Sequence, residues 1–104
     1  MKVLLDACVP RPLRLFLTGH TVKTAQEMGW GLLKNGHLLQ VAEESFEVFI
    51  TGDQQLKYQQ NLKGRKIAIL SLPTNDWPEL RTMGEKIAAA VSTLRPGDYL
   101  EFTG

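Results

Sequence analysis

Cysteine is almost absent from this chain: Cys8 is the single thiol among 104 residues. One thiol excludes an internal disulfide and any multi-cysteine zinc cage built within one chain. A reducing cytoplasm is the simplest setting for it. Long apolar runs are lacking too, since nothing approaches the roughly 20 residues of a membrane span. The opening Met1-Lys2-Val3-Leu4-Leu5-Asp6 has too short an apolar stretch for a secretory signal. No membrane association is therefore expected. Charge of one sign is equally scarce, with 12 basic against 11 acidic residues and a net charge of +1. That balance gives no overall attraction to nucleic acid, so any RNA or DNA contact needs a local basic patch. Repeats, low-complexity segments and charged tails are missing as well.

What is present suits one folded domain spanning residues 1–104. The 43% hydrophobic content is ordinary for such a domain, and the length allows one core. Two short runs stand out, Val3-Leu4-Leu5-Asp6 and Val48-Phe49-Ile50-Thr51-Gly52-Asp53. Each is an apolar stretch that stops and then presents an aspartate, as buried strands of a parallel sheet do. Strands are expected over Lys2–Leu5, His20–Thr24, Glu47–Thr51, Lys66–Leu72 and Tyr99–Phe102. Helices are expected from Pro10 or Pro12 to Gly19, from Asn35 as N-cap through Glu44, and over Gln54–Asn61 before a break at Gly64. A short helical turn, Ala25–Met28, ends at Gly29. Leu80, Met83, Ile87, Val91 and Leu94 recur at helical spacing and predict one last helix. Strands alternating with helices predict an α/β fold, a three-layer α/β/α sandwich with a mostly parallel sheet.

In such a sheet the ligand crevice lies beyond the carboxyl ends of the strands, at the switch in strand order. With the first strand central, Asp6 and Asp53 would meet there from neighbouring strands. Two carboxylates in one crevice repel unless something positive sits between them. Magnesium or manganese would serve, because both take hard oxygen ligands and magnesium uses only one or two carboxylates while keeping several waters. Such an ion stabilises charge on a phosphoryl oxygen and lowers the pKa of a bound water, the minimum equipment for phosphodiester hydrolysis. Asp6 and Asp53 are the candidate metal ligands, and Glu27 or Asn35 would complete the catalytic set.

Each residue also has a plainer reading. Asp53 could cap the helix starting at Gln54, and Asp6 could be a solvated turn residue. Glu27 could be an exposed helix residue, and Asn35 a helix cap. Asp76-Trp77-Pro78-Glu79 has the spacing of a capping motif with proline in the first turn, so Asp76 is structural first and a ligand second. His37 is expected on a helix surface, Cys8 as a small buried neighbour of Asp6, and Trp30 and Trp77 as packing residues.

Taken in order, Met1-Lys2-Val3-Leu4-Leu5-Asp6-Ala7-Cys8-Val9-Pro10, Gly19-His20-Thr21-Val22 and Ile50-Thr51-Gly52-Asp53-Gln54-Gln55-Leu56 resemble a small bacterial branch of the PIN-domain-like superfamily. The resemblance spans nearly the whole chain. It implies an α/β/α fold and, in active members, ribonuclease activity dependent on Mg2+ or Mn2+. Many such proteins are the toxin of a toxin–antitoxin pair. Asp6 and Asp53 fall on acidic positions of the pattern. The segment Lys34-Asn35-Gly36-His37 departs from it, supplying Asn35 and His37 where an acid often stands. A neutral ligand compensates a divalent ion less, so metal affinity should fall.

Beside Asp53, Lys57, Lys63, Arg65 and Lys66 share a segment with Tyr58. Basic side chains neutralise phosphates and an exposed tyrosine stacks on a base, so Lys57, Tyr58, Lys63 and Arg65 are the candidate RNA contacts. A solvated basic helix and turn is the plain alternative. The leading expectation is a metal-dependent, single-strand-selective ribonuclease. A catalytically weak PIN-like module that binds RNA, an antitoxin or a second copy of itself is the rival. A phosphoacceptor domain using Asp53 fits less well, because Asp6 lacks an acidic neighbour and no lysine precedes a proline near the last strand.

Overall fold

The apolar runs form the strands of the structure, a computed structural model that describes residues 1–53 and 65–103. Strands β1 (Lys2–Leu5), β2 (Thr21–Thr24), β3 (Val48–Thr51), β4 (Ala68–Ser71) and β5 (Tyr99–Glu101) make one sheet in the order β2-β1-β3-β4-β5. Every neighbouring pair is parallel. All residues of β3 and β4 are buried. A strand covered on both faces has no polar side to alternate with, which is why these runs are continuously apolar.

The two-residue side-chain period divides the core into two. Val3, Leu5, Val48, Ile50, Ala68 and Leu70 point to one face, where Leu13, Leu17, Leu80, Ile87 and Val91 pack on them. Leu4, Phe49 and Ile69 point to the other, against Leu38, Leu39 and Ala42. Each buried Val, Leu, Ile or Phe among them contributes about 1.5–3 kcal/mol. Helices this short are marginal alone, so the sheet faces hold them in place.

A 3-10 helix (Arg11–Phe16) follows β1, α1 (Asn35–Ala42) precedes β3, and α2 (Trp77–Arg81) and α3 (Gly84–Thr93) lie between β4 and β5. The first helix is tighter than expected. Its bonds run from Leu13 N–H to Pro10 O at 3.1 Å and from Leu17 N–H to Arg14 O at 3.0 Å, three residues back. Pro12 has no N–H to give to a longer ladder. Gly19, at φ +83°, makes the left-handed turn into β2.

Three helix expectations need correction. Lys34, not Asn35, holds the N-cap position of α1, and Asn35 is its first helical residue. Asp76 holds the N-cap position of α2 without a side-chain capping bond; instead its N–H donates to Thr74 Oγ1 at 3.0 Å. The single last helix is two. Met83 N–H reaches back to Leu80 O and Thr82 N–H to Glu79 O, a tightened turn that ends α2. Gly84 then opens α3 with its backbone against the Phe16 ring, where a Cβ would overlap the ring. The apolar face therefore stays continuous while the helix axis breaks.

The helix expected over Gln54–Asn61 and the break at Gly64 lie outside the described residues. Trp77 packs 6.2 Å from Phe16 and Trp30 packs edge-on, 6.0 Å from Phe46, so both tryptophans are packing residues. Among the described residues no helix is long and apolar enough to cross a membrane.

Candidate functional site

Strand β1 has β2 on one side and β3 on the other, so the direction of sheet growth reverses between β1 and β3. That reversal is the switch point, and its carboxyl end is where ligands of open α/β sheets bind. Asp6 stands there. Its N–H extends the ladder to Ile50 O at 2.9 Å, which fixes its main chain opposite the end of β3.

The Asp6 side chain is held by protein donors. Ala7 N–H donates to Oδ1 at 2.8 Å and the Thr51 hydroxyl donates to Oδ2 at 2.7 Å. Thr51 is fully buried and Asp6 is 8% exposed. With its proton committed to Asp6, Thr51 Oγ1 accepts the Asp53 N–H at 3.0 Å. One hydroxyl thus latches the carboxylate after β1 to the main chain after β3. Asp53 itself is half-buried. The structure brings these two acidic residues to one edge, joined through Thr51.

Cys8 completes the Asp6 shell. Its Sγ–H points to Asp6 Oδ2 at 3.6 Å, and the residue is exposed, not buried as expected. Partial desolvation of the sulfur raises its pKa above the ordinary value; the Gly52 N–H pulls the other way, and the Asp6 negative charge adds to the rise. The protonated thiol is therefore the resting donor.

Glu27 reaches the same edge after β2 but is committed elsewhere. Its carboxylate accepts from the Arg14 guanidinium and from Thr24 N–H at 2.9 Å, while Glu27 N–H donates to Thr24 Oγ1 at 3.1 Å. The Arg14 hydrogen bond, then that of Thr24, holds the Glu27 carboxyl at about 2, down from 4.5. A carboxylate already neutralised by a guanidinium makes a poor third ligand. Asn35 opens α1, and its side chain lies outside the described residues.

A residue that sequence reasoning passed over sits closer. Asn75, from the β4–α2 connection, lays its amide against Gly52, where any Cβ would overlap it. Asn75 is exposed and puts a polar amide beside the Thr51–Asp53 turn. The available signal was Gly52 itself, since a glycine at a strand end often marks close approach of another group.

Arg65 stands away from Asp53. It precedes β4, with Nη1 3.4 Å from Glu43 Oε2, and Lys66 N–H donates to Glu43 Oε1 at 2.9 Å. It therefore lies at the amino edge of the sheet, a strand length of about 13 Å from the edge that carries Asp6. Twelve positions separate it from Asp53 in sequence, but the two stand at opposite edges of the sheet. Lys57, Tyr58 and Lys63 lie outside the described residues.

No family model, curated protein or solved structure matches this chain. Among the described residues no three His, Cys, Asp or Glu side chains are grouped to hold a metal. Asp6 has spent most of a carboxylate's roughly four acceptor positions on protein donors. The arrangement does not suit a cation caged by protein. An ion at this edge would have to take most of its oxygens from water or from a bound phosphate, as magnesium commonly does.

Proposed function

We propose that this chain is a PIN-like domain, an α/β/α sandwich that hydrolyses RNA phosphodiesters with Mg2+ or Mn2+ taken up together with the RNA. The observation that carries the reading is the latch of Asp6, Thr51 and Asp53 at the switch point between β1 and β3. The ordered resemblance to the small PIN-like branch supports it. When bound, the cation supplies charge neutralisation at a phosphoryl oxygen and a water of lowered pKa. Asp6 and Asp53 are the residues that would hold it. Ala7 N–H and the Thr51 hydroxyl keep the Asp6 carboxylate at one fixed place, so little reorganisation is needed when charge arrives. Lys57, Tyr58 and Lys63 remain the proposed RNA contacts, and Arg65 is withdrawn from that set. The proposed partner is an antitoxin protein.

The test is cleavage of single-stranded RNA by purified protein in Mg2+ or Mn2+, with Asp6→Asn and Asp53→Asn alongside. Wild type cuts, a chelator stops it, and each variant loses about 100-fold or more, the scale set by deleting a preorganised charged group. Equal rates in all three proteins overturn the proposal.

One observation favours a second reading, a catalytically weak module binding RNA or a protein partner. Glu27 is bound to Arg14, which leaves the edge two carboxylates. Calorimetry separates the readings: RNA or partner binding that needs no metal, without turnover, belongs to the module.

A further inference from the structure

The amino edge of the sheet carries a feature that the switch-point site does not use. Between the starts of β3 and β4 and the end of α3 lies a pocket of about 270 Å³. Its apolar wall comes from Phe46, Val48, Ile67, Ala68, Leu94 and Pro96. Phe46 and Ile67 belong to one core cluster, and Val48, Ala68 and Leu94 to the other. The pocket therefore opens where the two cores meet around the sheet end.

Charge at its rim is uneven in a specific way. Glu43 and Glu47 line the pocket, but both are already bonded. Glu43 accepts from Lys66 N–H and from Arg65, and Glu47 Oε1 accepts Lys2 N–H at 3.0 Å. Asp98 nearby accepts Arg95 N–H at 2.8 Å. Lys66 and Arg95 also line the pocket, both exposed, and no ion pair of the described residues engages either side chain. The acids at this edge have donors, while among the described residues the two cations beside an apolar hollow have no acceptor.

We infer that this pocket binds a small apolar monocarboxylate, its chain against Phe46, Val48 and Ile67 and its head group on Lys66 and Arg95. The volume lies just below the range of about 300–1,000 Å³ that holds drug-sized ligands, so the ligand is smaller than those. A monoanion is favoured over a phosphate dianion because Glu43 and Glu47 stand in the same wall and repel a second negative charge. A neutral apolar molecule would leave the two cations unmatched. The inference is independent of the reaction at the opposite edge.

Backbone amide NMR of the full chain tests it, with hexanoate and hexanamide as matched probes. Hexanoate shifts the amides of Val48, Ile67 and Ala68 saturably and binds about tenfold or more tighter than hexanamide, the discrimination given by a charge-assisted hydrogen bond. The double variant Lys66→Gln with Arg95→Gln removes that difference and leaves hexanamide binding unchanged. Both replaced side chains are exposed, and unchanged shifts elsewhere confirm that the variant folds. Absence of saturable shifts at those amides, equal affinity for the two probes, or discrimination that survives in the double variant each overturns it.

Discussion

The two edges of one sheet use polar groups in opposite ways. At the carboxyl edge a carboxylate is drawn inside, 8% exposed, and tied to a buried hydroxyl that also anchors the next strand. At the amino edge Arg65 and Glu43 meet 3.4 Å apart as a half-buried pair, with side chains 21% and 25% exposed. The difference teaches where precision is built. A buried acceptor left short of a donor costs its full desolvation penalty, whereas a pair partly open to water is screened and contributes less. At the carboxyl edge the Ala7 N–H and the Thr51 hydroxyl hold the Asp6 carboxylate at a fixed position.

That comparison breaks most visibly at Thr51. Thr51→Val removes the donor of Asp6 and the acceptor of Asp53 N–H together. A loss of about 2–4 kcal/mol is expected, from two unsatisfied polar groups in a buried place, measured by urea unfolding. Gly52→Ala comes next, at about 1 kcal/mol or less, because the Asn75 amide in the way ends an exposed side chain that can turn aside. Adding Asn75→Ala to that variant should restore most of the loss, and the double-mutant cycle reads the coupling. Glu43→Gln at the other edge should cost less than about 1 kcal/mol. A Glu43 variant as damaging as the Thr51 variant would erase the distinction between the edges.

Glu27 provides the smallest and sharpest comparison. Its folded pKa is depressed, so its contribution is present above the ordinary 4.5 and is lost as pH falls from there through about 2. Arg14→Ala removes the main cause. The Glu27 carboxyl carbon, followed by NMR, should then titrate above 2 but still below 4.5, because the Thr24 N–H bond remains. A midpoint that stays near 2 would assign the shift to Thr24 N–H alone.

Much of the frame was legible in the sequence because the physics there is local. Strands β1, β3 and β4 announce themselves as apolar runs, since a parallel strand buried on both faces tolerates little else. Leu38, Leu39 and Ala42 marked the buried face of α1 by their spacing alone. What escaped depends on contacts between distant segments. The break between α2 and α3 lies at the tightened turn of Thr82 and Met83, while the apolar spacing runs on across it. The Thr51 latch looks in sequence like an ordinary β-branched strand residue. Glu27 was readable as an acid near the edge, but Arg14 lies 13 positions away in a separate element. Arg65 was read beside Asp53 because chain distance is visible in a sequence and the crossing of a sheet is not.

The central claim is that the edge shared by β1 and β3 takes a divalent cation. Paramagnetic broadening of backbone amides by Mn2+, in the presence of a single-stranded RNA too short to be cut, tests it most directly. Ala7, Gly52 and Asp53 should broaden first, and Asp6→Asn should remove the effect. Broadening centred on Glu43 and Glu47, or none near Asp6, would contradict it.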